Sequence, residues 1–206
     1  MHDDHPHSHD HHPDREGPLS DYQLMEIAVR ELLVEKRILT ADEIRRTVEA
    51  MDARSPALGA RVVARAWVDP AFRARLLANG TAACEEVGIA MGAVKLVVVE
   101  STPEVHNLVV CTLCSCYPRA LLGLPPDWYK SRAYRARAVR EPRAVLSEFG
   151  TELTDDVTVR VHDSTADMRY LVLPLRPPGT EGWSEERLAG LVTRDSMIGV
   201  SIPRPT

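Results

Sequence analysis

The sequence predicts a mixed α+β fold, because two kinds of pattern alternate along it. Apolar, β-branched runs at residues 95–100 (KLVVVE), 106–111 (HNLVVC), 157–162 and 169–175 read as short strands. Stretches with a helical apolar period or a recognisable cap lie before, between and after them. With 206 residues, 44% of them hydrophobic, the chain can bury a sizeable core, and 27% charged residues keep its exterior wettable.

Residues 1–18 stand apart in composition. His2, His5, His7, His9, His11 and His12 sit among aspartates, prolines and a glycine, with almost nothing apolar to bury, so the segment is expected to be a disordered, solvated tail. Its histidines suit transient capture of a divalent metal, but they are not the active site. From Ser20, a plausible N-cap, Leu24, Ile27, Ala28, Glu31, Leu32 and Lys36 set an apolar stripe against a charged face. Thr40 and Glu43 form a capping box that opens a second helix, each side chain satisfying a donor of the other's backbone. Asp69-Pro70 starts a third helix and Gly80 is expected to end it. Cys84 falls on a short helix over 81–87 and reads as a small buried apolar residue.

The first two strands are separated by residues 101–104. His106 lies five residues before Cys111 on a strand, where alternation places the two on opposite faces, so it reads as structural. Pro125-Pro126 breaks the chain. Lys130, Arg132, Arg135, Arg137, Arg140 and Arg143 then make a basic run interspersed with Tyr129 and Tyr134, read as a subunit interface or solvated helical face rather than a nucleic-acid site. The last two strands frame a turn-rich loop at 163–167. Ser184 is expected to cap a final helix through about Val192, leaving Pro203 and Pro205 in an extended tail. A net charge of -5 gives no electrostatic footprint for nucleic acid, and no run of 18 apolar residues predicts a membrane span. The polar start lacks a signal-peptide core, and reduced thiols suit the cytoplasm.

The densest chemistry lies in Cys111-Thr112-Leu113-Cys114-Ser115-Cys116. Disulfides close poorly between neighbours two apart. A Cys-x-x-Cys redox pair needs no third thiol, and Cys116 supplies one. A structural zinc site normally draws on two separated knuckles, and no second one follows. What remains is a claw in which one loop aims three sulfurs at one centre, and soft thiolates favour a late transition metal.

Residues 110–117 (VCTLCSCY) resemble the metal-binding loop of the nitrile hydratase alpha-subunit family in its cobalt form. The resemblance extends through 59–67, 122–130, 139–143, 179–186 and 192–199. It implies a domain plan of tail 1–18, helical arm 19–58 and catalytic domain 59–206, the domain being a layered α-β-β-α body with the claw at a strand end. It implies one Co(III) per chain, with iron the second choice; Thr112, where iron members carry serine, points to cobalt. The ligands implied are the sulfurs of Cys111, Cys114 and Cys116 and the backbone nitrogens of Ser115 and Cys116, with Cys114 as sulfinate and Cys116 as sulfenate. Cys116 and Cys114 would be catalytic, acting on a small nitrile. Partners implied are a beta subunit, as a heterodimer or α2β2, supplying arginines to the oxidised sulfurs, and an activator protein that loads cobalt.

The chain departs from that family where Tyr117-Pro118-Arg119 replaces a sequence ending in tryptophan, a wall of the nitrile pocket. Arg119 there suits a polar or anionic substrate. A glutamine common in the family upstream of the claw is also missing, Gly92 occupying its neighbourhood, and His162 and Asp167 stand where relatives carry tryptophan and glutamate. The changes at 162 and 167 fall in a stretch expected to support the surroundings of the site, while those at 119 and 92 keep a second reading in view, the similar cobalt subunit of thiocyanate hydrolase. A third is a non-catalytic metal-storage or redox-sensing protein.

Overall fold

The computed structural model of the protein describes residues 18–205, so all but the last residue of the histidine-rich tail lies outside the described residues. The first two helices are α1 (Asp21–Glu35) and α2 (Ala41–Asp52). Ser20 caps α1 by accepting the Gln23 N–H, and Gln23 returns to the Ser20 N–H at 2.8 Å. The expected Thr40 box is formed: Thr40 Oγ1 accepts the Glu43 N–H at 3.2 Å, and Glu43 Oε2 accepts the Thr40 N–H at 2.8 Å. Those bonds to the ionised form hold the Glu43 carboxyl below its ordinary pKa. No residue of either helix is buried, and Leu24, Val29 and Leu32 each leave about half their surface exposed. A second compact unit begins at Glu49.

That unit opens with α3 (Pro56–Val68), a helix the amphipathic pattern did not reveal. It buries Gly59, Ala60, Val62, Val63, Ala64 and Ala66 and leaves Arg61 and Val68 exposed. Asp69 then caps α4 (Pro70–Ala78) by accepting the Phe72 N–H at 2.9 Å. Gly80 does not end this helix as expected. Asn79 ends it and caps α5 (Gly80–Glu86), accepting the Ala82 N–H at 3.1 Å. Glycine is required at position 80 by packing, because a Cβ there would sit 2.8 Å from the Leu96 carbonyl oxygen. Cys84 is fully buried, as expected, and burial pushes its thiol up to about 12.

Four strands form two parallel pairs. β1 (Lys95–Glu100) runs beside β4 (Met168–Leu173), with Lys95 opposite Met168 and Glu100 opposite Leu173. β2 (Val105–Val110) runs beside β3 (Thr158–Asp163), with Val105 opposite Thr158 and Val110 opposite Asp163. Helices α4 and α5 pack on β1, while α8 (Arg132–Arg140) packs on β2 and α9 (Pro142–Glu148) on β3. β2 meets β4 between them, which gives the α-β-β-α layering. Phe72, Leu76, Leu96, Leu108, Leu171 and Leu173 are buried between the layers.

Two short helices, α6 (Arg119–Leu122) and α7 (Asp127–Lys130), connect the claw to α8. The final helix expected from Ser184 to about Val192 is shorter and is followed by another. Ser184 caps α10 (Glu185–Ala189), and α11 (Arg194–Ile198) starts afresh. Thr193 Oγ1 accepts the Ser196 N–H at 3.2 Å and Ser196 Oγ accepts the Thr193 N–H at 3.0 Å. Serine in place of the usual Glu or Gln hides this capping box in the sequence. Among the described residues no helix is long and apolar enough to cross a membrane.

Candidate metal centre

Parallel pairing sends the C-terminal ends of β2 and β3 to the same edge, and the claw opens there. Cys111 follows Val110 directly, and Ser164 N–H closes on the Val110 carbonyl at 2.7 Å. The Cys111, Cys114 and Cys116 sulfurs all lie within 4.8 Å of one another. Cys114 Sγ stands 3.4 Å from Cys111 Sγ and 3.2 Å from Cys116 Sγ, and the Cys114 N–H donates to Cys111 Sγ at 3.3 Å. Cys111 is buried, Cys116 half-buried and Cys114 exposed.

This crowding splits the thiols. Cys114 is pulled down to about 7, first by the hydrogen bond from Cys116 and then by that from Cys111. Cys116 is pushed up to about 12, first by burial and then by its bond with Cys114, with the Arg169 charge acting weakly the other way. The Cys114 thiolate forms readily while Cys116 holds its proton, so seating a metal on the claw releases protons. The donors fit such an ion: three converging sulfurs with no carboxylate among them suit a soft, late transition metal rather than Mg or Ca.

Side chains from other elements fasten the claw. Asp163, at the end of β3, accepts from the Thr112 N–H at 2.9 Å and from its hydroxyl at 2.6 Å. The Tyr129 hydroxyl donates to the Cys116 carbonyl at 2.9 Å, and Arg135 Nη1 donates to the Cys114 carbonyl at 3.1 Å. Asp163, expected only as part of the turn-rich loop at 163–167, instead closes β3 and holds the claw. Tyr129 and Tyr134, weighed in the sequence only as stacking groups in a basic run, are instead buried: Tyr134 donates to the Val109 carbonyl at 2.6 Å and stacks edge-on against Trp128, 4.9 Å between ring centres. The rest of the run is largely answered within the chain, Arg137 by Glu141 and Glu148, Lys130 by Asp127, and Arg143 by the carbonyls of Leu153, Thr154 and Val157.

His106 is structural. Its Nε2 pairs with the Gly199 carbonyl at 2.7 Å, near the far end of β2 from the claw, and burial holds the ring below its ordinary pKa. His162 Nε2 reaches Asn107 Oδ1 at 2.8 Å, and its ring lies 5.1 Å from that of Tyr170.

A cleft of about 580 Å³ opens beside Cys114, Ser115 and Cys116. Arg119 lines it, as do Arg54, Arg169 and the backbone around Gly92, and among the described residues no acidic side chain does. Two of the four positions at which the chain departs from the family pattern, 92 and 119, therefore border one space.

Fold and site together define a metalloprotein whose soft-metal loop sits at the carboxyl edge of paired parallel strands. A family profile described as the nitrile hydratase alpha chain matches residues 20–201. The low-molecular weight cobalt-containing nitrile hydratase subunit alpha of Rhodococcus rhodochrous is 56% identical over 178 residues, 85% of this chain and 86% of that protein. Thiocyanate hydrolase subunit gamma of Thiobacillus thioparus is 43% identical over 199 residues, 91% of this chain and 82% of that protein. Among solved structures, an arginine-to-tryptophan mutant of thiocyanate hydrolase superposes with a TM-score of 0.86 at 42% identity, covering 91% of this chain and 92% of that one. An iron-type nitrile hydratase variant from Comamonas testosteroni gives 0.83 at 44%, with the same coverage of each chain. The chain belongs to the nitrile hydratase alpha-chain family.

Proposed function

We propose that this chain is the metal-binding subunit of a cobalt nitrile hydratase, adding water to a nitrile to give the amide. The observation that carries the reading is the convergence of three sulfurs within 4.8 Å, with Cys114 and Cys116 bordering a cleft, in a chain 56% identical to a cobalt-containing relative. Cys111, Cys114 and Cys116 would hold the ion through sulfur, and Ser115 and Cys116 through backbone nitrogen. Bound cobalt supplies a Lewis acid that polarises a weakly electrophilic carbon. Cys114 would be carried as sulfinate and Cys116 as sulfenate, whose oxygen can attack or take a proton from water. Half-buried Cys116 borders the cleft and so faces the reacting atoms, while Asp163 and Tyr129 keep the loop from moving away.

Two oxidised, anionic sulfurs require cations nearby, which a beta subunit would supply; α1 and α2, with no buried residue, suit an arm of residues 19–58 laid over that partner. An activator protein would load the metal, in the cytoplasm. The test is to co-produce the chain with its genomic neighbours, measure cobalt and assay amide formation from acrylonitrile. About one cobalt per chain with amide production supports the reading; stoichiometric zinc on unoxidised thiols points to metal storage instead.

A second reading has its own observation. Arg119, Arg54 and Arg169 give the cleft a cationic lining, with no carboxylate among the described residues, which suits a small anion such as thiocyanate. Release of carbonyl sulfide from thiocyanate, without amide from acrylonitrile, would favour it.

A further inference from the structure

We propose that Arg135 is a positioning residue for the metal claw, holding the Cys114 carbonyl so that the middle of the loop is preset before an ion arrives. The proposal rests on the metal-centre reading above. Ser131 caps α8 by accepting the Tyr134 N–H at 3.1 Å, and Tyr134 anchors that helix to β2 through the Val109 carbonyl. Val109 lies two residues before Cys111, so the next side chain on α8, Arg135, reaches the claw from a base already fastened to the same strand.

Asp163 ties down the start of the loop at Thr112, and Tyr129 ties down its end at Cys116. Between these ties, Arg135 is the side chain that reaches the loop's middle, through the Cys114 carbonyl. Its Nε is withdrawn from water and has no hydrogen-bond partner among the described residues. Arg135 is half-buried, so the unpartnered Nε costs free energy while the charge-assisted bond from Nη1 to the Cys114 carbonyl offsets it. Here the carbonyl belongs to the peptide that joins Cys114 to Ser115, two of the proposed ligand residues.

The complex should be produced with its partners as wild type, Arg135→Met and Arg135→Lys. Three quantities should be read: cobalt per chain against cobalt supplied, the sulfur-to-cobalt absorption band, and the melting temperature of the metal-free complex. Methionine keeps the stem but removes the donor and charge. The expected result is that Arg135→Met needs roughly 10–100-fold more cobalt for half loading, the scale of losing a group that orients a ligand, with a shifted band. Lysine should recover most of the loading, and the metal-free melting temperature should change little in either variant. Arg135→Met loading along the wild-type curve with an unshifted band overturns the proposal. So does equal failure of both variants alongside a lowered metal-free melting temperature, which marks a merely structural residue. A wild-type complex that takes up no cobalt refutes the metal-centre reading itself, and the role of Arg135 with it.

Discussion

Asp163 grips Thr112 twice, one carboxylate oxygen accepting the backbone N–H and the other the hydroxyl, across 51 positions of sequence. The register brings them together: Asp163 lies opposite Val110 in the β2–β3 pair, two residues before Thr112. Asp163→Asn keeps the size but replaces one of the two acceptors with a donor. We expect the fold to survive and cobalt affinity to fall by roughly 10–100-fold, measured by metal content under limiting cobalt. Wild-type retention would show that the claw holds its shape unaided.

The cysteines separate by role. Cys116→Ala and Cys114→Ala should each abolish turnover. Cys84, fully buried with its thiol pushed up to about 12, should behave as a core residue. Cys84→Ala should cost about 1 kcal/mol of stability and leave activity close to wild type. Steady-state rates and thermal melts check both halves, and an active Cys116→Ala enzyme would refute the role given to its sulfenate.

Arg119→Trp removes a charge from the cleft and adds an apolar wall. The ratio of kcat/KM for a neutral nitrile over that for thiocyanate should rise by about tenfold or more, within the range that one pocket contact commands. Salt should weaken the wild-type rate on the anion more than the variant's. An unchanged ratio would remove Arg119 from the specificity of this site.

Acid should destabilise the fold through His106. Burial keeps this ring neutral in the folded chain, whereas the unfolded chain takes up a proton below about pH 6.5. The unfolded state then binds more protons, so stability is complete above that pH and falls as pH drops toward the lower folded pKa. His162, also depressed mainly by burial, adds in the same direction. Melting temperature should therefore fall between about pH 7.5 and about pH 5.5, and His106→Gln should fall less over that interval. An equal fall in both would assign the effect to other groups.

Gly199 follows α11 with φ +92, and a Cβ there would stand 2.0 Å from the Asn107 carbonyl oxygen. Its own carbonyl holds His106. Gly199→Ala should therefore cost about 3 kcal/mol or more, because both the left-handed backbone and the close approach to β2 forbid a side chain. Denaturant melts measure this, and a loss under about 1 kcal/mol would contradict the packing described.

Much of this protein could be read without a structure, where the information is local. A capping box at Thr40 and Glu43, a cap at Asp69, β-branched runs at β1 and β2, and the Cys111–Cys116 spacing are each written within a few residues, and hydrogen bonds over that range depend little on the rest of the chain. The same reading failed where distant packing set the choice. Gly80 looked like a helix end but is a contact with Leu96. Parallel pairing of β1 with β4 and of β2 with β3 joins segments more than fifty residues apart, which no local pattern encodes. That pairing alone sets Asp163 beside Thr112, and α8 packed on β2 brings Arg135 to Cys114. The sequence by itself determined that three sulfurs share one loop; the tertiary structure decided how the loop is held, because its restraints come from strands and helices that meet only when the core closes.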